Sequence, residues 1–183
     1  MKNPSMLTLF YYFFTFIIGL FFGSFLNLVA DRLQNDEPII KGRSHCDFCN
    51  HVLRVVDLVP LFSFLSTWGM CRYCREKLSI GYPLSELLTG SMFLLAAVSS
   101  RVFKVPSPAV PRSVLFFIYL LIVFSLYIVM FLSDAKYQII PNKIVIPAIG
   151  VVLLFYPILG FEWTDLVSAG LLAGFFWFLF WIT

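Results

Sequence analysis

The chain predicts an all-α polytopic membrane protein with about five transmembrane helices and one small polar insertion. Two observations predict it. The composition is 60% hydrophobic and 19% aromatic but only 13% charged, about half the charge of an ordinary soluble domain, and mean hydropathy is +0.90. The apolar residues also fall into five runs near the roughly 20 residues that a helix needs to cross hydrocarbon. Those runs are 6–30, 83–99, 114–133, 144–161 and 166–183. A backbone in lipid must satisfy its own hydrogen bonds, so each run is expected to be a helix.

The first run lacks a small-residue cleavage site, exceeds a signal-peptide core in length and runs into Asp31-Arg32, so it reads as a retained anchor. Gly19, Gly23, Asn27 and Asp31 recur every fourth position and share one helical face. Small residues at that spacing admit a close neighbour, and Gly170-x-x-x-Gly174 is read the same way. Lys104 to Pro111, with three prolines, reads as a short extended external loop. No internal repeat is evident. Domain organisation follows: 1–30 as the first transmembrane helix, 31–82 as a polar domain and 83–183 as a helical membrane region.

Lys and Arg set the orientation. Residues 31–82 hold seven and 134–143 hold two, against four on the opposite side (Lys2, Arg101, Lys104, Arg112). This places 31–82 in the cytoplasm, whose reducing potential keeps thiols free. The net charge of +3 gives no reason to expect a nucleic-acid partner.

All four cysteines of the protein lie in that domain, as Cys46-Asp47-Phe48-Cys49 and Cys71-Arg72-Tyr73-Cys74. Each C-x-x-C turns two thiolates toward one point, and two such pairs supply the four soft ligands of tetrahedral zinc. A full ligand set leaves no open position, so the metal is expected to be structural. A redox pair is the alternative reading. Residues 55–65 between the pairs are apolar and need cover from a metal-clamped core or from the membrane interface.

Polar residues within the apolar runs are the remaining candidates. Asn27 reads mainly as a packing residue, and Glu86 either complements a helix N-terminus or joins a polar cluster with Asn27 or the cysteine domain. Asp134 closes the third run before Ala135-Lys136-Tyr137-Gln138-Ile139-Ile140-Pro141. An ionisable group at membrane depth is a functional candidate. Its alternative is an interfacial aspartate that marks a helix end.

Gly23-Ser24-Phe25-Leu26-Asn27, the two cysteine pairs, Asp57-Leu58-Val59-Pro60 and Gly81-Tyr82-Pro83-Leu84-Ser85-Glu86 stand in one order, at a spacing that resembles the bacterial type IV prepilin peptidases. The likeness is close over 19–90 and looser beyond. It implies an intramembrane aspartyl protease of the bacterial inner membrane that removes the basic leader of pilin and pseudopilin precursors. It also implies N-methylation of the new terminus with S-adenosylmethionine, and it leaves room for a homo-oligomer. Asp134 matches the first catalytic aspartate. Two are needed because one ionised carboxylate activates water while a protonated one polarises the scissile carbonyl. The family's second aspartate sits in G-x-G-D, which these 183 residues lack. The chain is therefore expected to be a truncated member, inactive by itself. The rival classes are a non-catalytic membrane assembly factor that binds zinc and a membrane thiol oxidoreductase.

Overall fold

The computed structural model describes residues 6–39, 42–46, 48–100, 110–139, 141–160 and 167. It is built from α1 (Met6–Gln34), a 3-10 turn (Val55–Leu58), α2 (Phe62–Ser66), α3 (Gly81–Ser100), α4 (Val110–Tyr137) and α5 (Asn142–Leu159). Among the described residues there is no strand beyond two isolated antiparallel bridges, His45–Val52 and Met70–Lys77.

Three helices are long and apolar enough to cross a membrane, 6–34, 81–100 and 112–137, and α5 is a shorter apolar helix. Four of the five expected runs thus appear as helices, each displaced by a few residues. The fifth run and Gly170-x-x-x-Gly174 lie outside the described residues. The expected extended loop needs correction at its end, since Val110 and Pro111 already belong to α4. Proline suits a first helical turn because its missing N–H would have no partner there. Residues 104–109 lie outside the described set.

The helix ends follow from local chemistry. Arg32 lies in the last turn of α1, where a cation complements the dipole. It is buried, and its guanidinium donates to the carbonyls of Pro38 (3.0 Å) and Ile39 (2.8 Å), which closes the chain leaving the helix. Gln138 stops α4 in a left-handed conformation (φ 55°), its N–H returning to the Asp134 carbonyl at 2.8 Å.

α1 packs most extensively on α3, α4 rests on both, and α5 leans on α4. The α1–α3 contact is one of backbones. A Cβ added at Gly19 would lie 2.7 Å from the Gly90 Cα, and one at Gly23 would lie 2.7 Å from the Glu86 Cα. Small residues thus bring the two helices together as their spacing suggested. Asn27 continues that face into Ser85, whereas Asp31 turns to α4. Nearer the loop, Leu26 and Ala30 of α1 meet Ile128, Val129 and Leu132 of α4 and Ile144 of α5 in an apolar core. Outward-facing Phe10, Phe13, Phe14, Phe21 and Phe25 are each about half exposed, as befits a lipid-facing surface.

Candidate functional site

Each C-x-x-C folds into the same knuckle. In the first, the Cys46 N–H donates to the His51 carbonyl (3.0 Å) and the Asn50 N–H to the Cys46 carbonyl (2.8 Å). In the second, the Cys71 N–H donates to the Glu76 carbonyl (2.8 Å) and the Arg75 N–H to the Cys71 carbonyl (3.0 Å). The bridges His45–Val52 and Met70–Lys77 close the two loops. The residue after the second cysteine is left-handed in both, Asn50 at φ 53° and Arg75 at φ 62°. This is a local structural repeat of period 25 that residue identity conceals, because only the cysteines are shared.

The knuckles face one another. All four Sγ atoms lie within 4.8 Å of one another, with Cys46 and Cys71 buried and Cys49 and Cys74 exposed. Metal–sulfur bonds of about 2.3 Å in a tetrahedron set sulfurs about 3.8 Å apart, and the Cys46–Cys74 separation is 3.9 Å. The donor set therefore fits a zinc ion. Electrostatics favours it too. Burial alone would raise the Cys71 thiol, but backbone N–H groups of Cys74 and Tyr73 and the neighbouring thiols bring it down to about 7. An N–H bond from Glu76 pulls the Cys74 thiol down, but slight desolvation together with the neighbouring thiols of Cys71, Cys49 and Cys46 outweighs it and pushes the thiol up to about 12. Four thiols this close cannot all ionise without a cation among them.

A polar network braces the second knuckle. The Asp57 carboxylate accepts from the Arg54 N–H (3.0 Å), the Tyr73 hydroxyl (2.9 Å) and Arg72 Nε (2.8 Å). Burial raises its carboxyl, but these donors outweigh burial and hold it below the usual range. The Tyr73 ring packs on His51 with centroids 3.7 Å apart, which joins one knuckle to the other. Sequence reasoning noticed Asp57 only as part of a motif. Its position three residues before Pro60 was the available signal, and it does not reveal the partners.

Glu86 ties the loop to the membrane helices. Its Oε2 accepts the N–H of Leu61 at 2.8 Å, and Leu61 itself has a positive φ (59°). Next to it, Asn27 donates to the Gly23 carbonyl (3.2 Å) and to the Ser85 hydroxyl, which itself donates to the Tyr82 carbonyl (2.8 Å). Both partners of the amide nitrogen act as acceptors, which fixes the orientation of the Asn27 amide. Its Oδ1 is left buried without a hydrogen bond. Glu86 thus joins the cysteine domain, and it lines the same cavity as Asn27.

Between the loop and the ends of α1 and α3 lies a cavity of about 570 Å³. Asn27, Asp31 and Glu86 line its membrane side, and Cys46, Cys71 and Tyr73 its loop side. That volume suits a small-molecule ligand.

Asp134 is exposed in the last turn of α4 and does not line the cavity. Its neighbours connect it there. Lys136 Nζ bonds both Asp31 oxygens (2.8 and 3.1 Å) and sits 5.1 Å from the Tyr82 ring centroid, while the Tyr137 hydroxyl donates to Asp31 at 2.9 Å. Lys143, at the start of α5, pairs with Asp36 beyond α1. The four cysteines, the cavity and Asp134 therefore share one end of the bundle.

The fold and site define a helical membrane protein with a four-cysteine cluster, able to hold a metal ion, at one end. Residues 17–100 match the model of the Bacterial Peptidase A24 N-terminal domain. The prepilin leader peptidase/N-methyltransferase of Klebsiella pneumoniae is 32% identical over 179 residues, 92% of this chain and 73% of that protein. The proteins of the same name from Myxococcus xanthus and Bacillus subtilis are 35% and 33% identical, over 78% and 90% of this chain. The chain belongs to the prepilin leader peptidase/N-methyltransferase family. It spans 40% of the Myxococcus relative and 61% of the Bacillus one. No solved structure matches it.

Proposed function

We propose that this chain forms the cytoplasmic-face part of a prepilin leader peptidase in the bacterial inner membrane, with Asp134 as one of its two catalytic carboxylates. The observation that supports it most is the placement of Asp134 at the cysteine end of the bundle, tied through Lys136 and Tyr137 to Asp31. The substrate is the N-terminal segment of a pilin or pseudopilin precursor. Its basic leader would lie in the cytoplasm and its apolar helix among the spans, with the scissile bond at the depth of Asp134. In this reading residues 31–82 form a zinc-bound cytoplasmic domain, and 83–183 contain the first half of the peptidase site. One carboxylate cannot act as base and acid together, so an aspartate from a G-x-G-D segment completes the pair.

We assign methylation to the cavity. Its volume suits S-adenosylmethionine, and the unpartnered Oδ1 of Asn27 beside Glu86 gives its inner end two acceptors for an ammonium group. The four cysteines would hold zinc as a frame for the cavity wall, since all four positions are filled by protein.

The test is prepilin cleavage in membranes that contain the 183-residue chain, with and without a segment bearing G-x-G-D. The chain alone is expected not to cleave, and the supplemented chain to cleave. Asp134→Asn is expected to lower the supplemented rate at least about a hundredfold, the scale of a lost acid–base group. Unchanged cleavage by Asp134→Asn would remove the assignment.

A further inference from the structure

The cysteine loop exposes a run of large apolar side chains that the other described residues leave uncovered. Phe62, Leu65 and Trp68 follow one another at three-residue spacing around α2, with exposures of 59%, 71% and 88%. Ser63 and Phe64 of the same short helix, and Thr67 just after it, line the cavity instead. Trp68 also occupies a left-handed position (φ 55°), unusual for so bulky a residue. Val55 adds to the outward surface at 81% and Ile80 at 72%.

The depth of α2 identifies what covers this face. At 1.5 Å per residue, the 20 residues of α3 reach about 30 Å, the full hydrocarbon thickness, so Gly81 lies near its boundary. Glu86 is five residues further, about 7.5 Å along the helix axis. The Leu61 N–H is bonded to the Glu86 carboxylate, whose side chain leans back toward the helix N-terminus, so α2 begins close to the boundary that Gly81 marks. Exposed Leu84, on the first turns of α3, extends the apolar surface toward the lipid-facing side. Elsewhere in the loop Arg43, Arg54, Arg72, Arg75 and Lys77 are exposed, Arg72 in an ion pair with Asp57. Five cations against Asp47, Asp57 and Glu76 complement an anionic leaflet. Aromatic residues favour this boundary as well.

We propose that the outer face of α2, with Phe62, Leu65 and Trp68, docks into the headgroup–acyl boundary of the bilayer. The cysteine domain then lies on the membrane as a lid over the cavity, and does not project into the cytosol. Its orientation is fixed from two sides, by Glu86 from within the bundle and by lipid from without.

The test uses the full chain in phosphatidylcholine–phosphatidylglycerol nanodiscs. A diazirine amino acid replaces Leu65, Trp68 or, as a polar control, the exposed Glu76, and adducts are read by mass spectrometry after illumination. Phospholipid adducts at 65 and 68 at least tenfold above those at 76 are expected. Adducts to a second copy of the chain, or no excess over position 76, would overturn the proposal. A second reading avoids insertion of the probe. Emission lost in Trp68→Phe, taken as a difference from the native chain, should be quenched by lipids brominated in the upper acyl chain. An unquenched difference places Trp68 in water and ends the idea.

Discussion

In the α1–α3 pair two backbones touch at Gly19 and Gly23, and polar atoms of Asn27, Ser85 and Thr89 are buried between them. Across the described residues 42–80, by contrast, only Cys46, Pro60 and Cys71 are buried. The pair is held by contact along some 20 residues, whereas the loop is held by four sulfurs, one carboxylate cluster and a single bond to Glu86. A region without an apolar core concentrates its stability in a few atoms. Loss of one atom should therefore matter far more in the loop than in the pair.

The largest effect that can break this contrast is removal of the metal. Cys46→Ser, or a strong chelator, is expected to unfold residues 42–80 while α1, α3 and α4 keep their helicity. Structural zinc supplies free energy on the order of 10 kcal/mol, more than any other interaction available to the loop. Metal analysis together with limited proteolysis checks it: protease sites should open between the knuckles with no loss of far-UV helix signal. A loop that stays resistant without metal would show that lipid or packing holds it instead. Metal affinity should also fall with acid, because protons compete for the thiolates.

Next comes a disturbance of the helix pair. Gly23→Ala puts a methyl 2.7 Å from the Glu86 Cα and 2.9 Å from the Thr89 hydroxyl, against backbone that cannot yield locally. Overpacking of this kind costs about 1–3 kcal/mol. Gly150→Ala in α5, with nothing within 4 Å, is the control and should be neutral or slightly stabilising. Thermal unfolding in detergent separates the two. Equal effects would mean that the α1–α3 contact is looser than its glycines imply.

How much of this was legible in the sequence differs between the same two regions. The cysteine spacing specifies its geometry directly, since two C-x-x-C pairs can meet around only one centre. The every-fourth-residue glycines pointed to a close contact but could not name Gly90 and Glu86 as its other side. The Leu61–Glu86 bond was not legible, because a backbone N–H looks the same in every sequence. Nor was the Lys136–Asp31 pair, whose members lie 105 residues apart. Asp134 was singled out from its position, and its distance from the cavity lining appears only in three dimensions.

A smaller effect concerns the carboxylate that braces the second knuckle. Asp57→Asn keeps the shape but loses the ion pair with Arg72, which is itself half exposed and screened by water. About 1 kcal/mol of loop stability should go, in line with one charge-assisted bond of this kind. The folded-state carboxyl lies below its ordinary value. Its contribution is therefore complete above the ordinary carboxylate pKa and lost as pH falls through the lower, folded-state value. Native and Asp57→Asn chains should differ by a constant amount near neutrality and converge only in strong acid. Proteolysis rates across a pH series measure this, and convergence near pH 6 would assign the effect to the thiols.

The smallest effect compares the two knuckles with each other. Asn50 and Arg75 occupy equivalent left-handed positions, but asparagine tolerates that conformation far better than arginine. Glycine adopts it without steric cost. Arg75→Gly should then stabilise the loop by about 0.5–1 kcal/mol despite the added freedom of the unfolded chain, and Asn50→Gly should change it by less. Zinc retention against a graded chelator reads the difference. Were Asn50→Gly the more stabilising, the strain would lie in the first knuckle, and the equivalence of the two turns would fail at the residue that follows each cysteine pair.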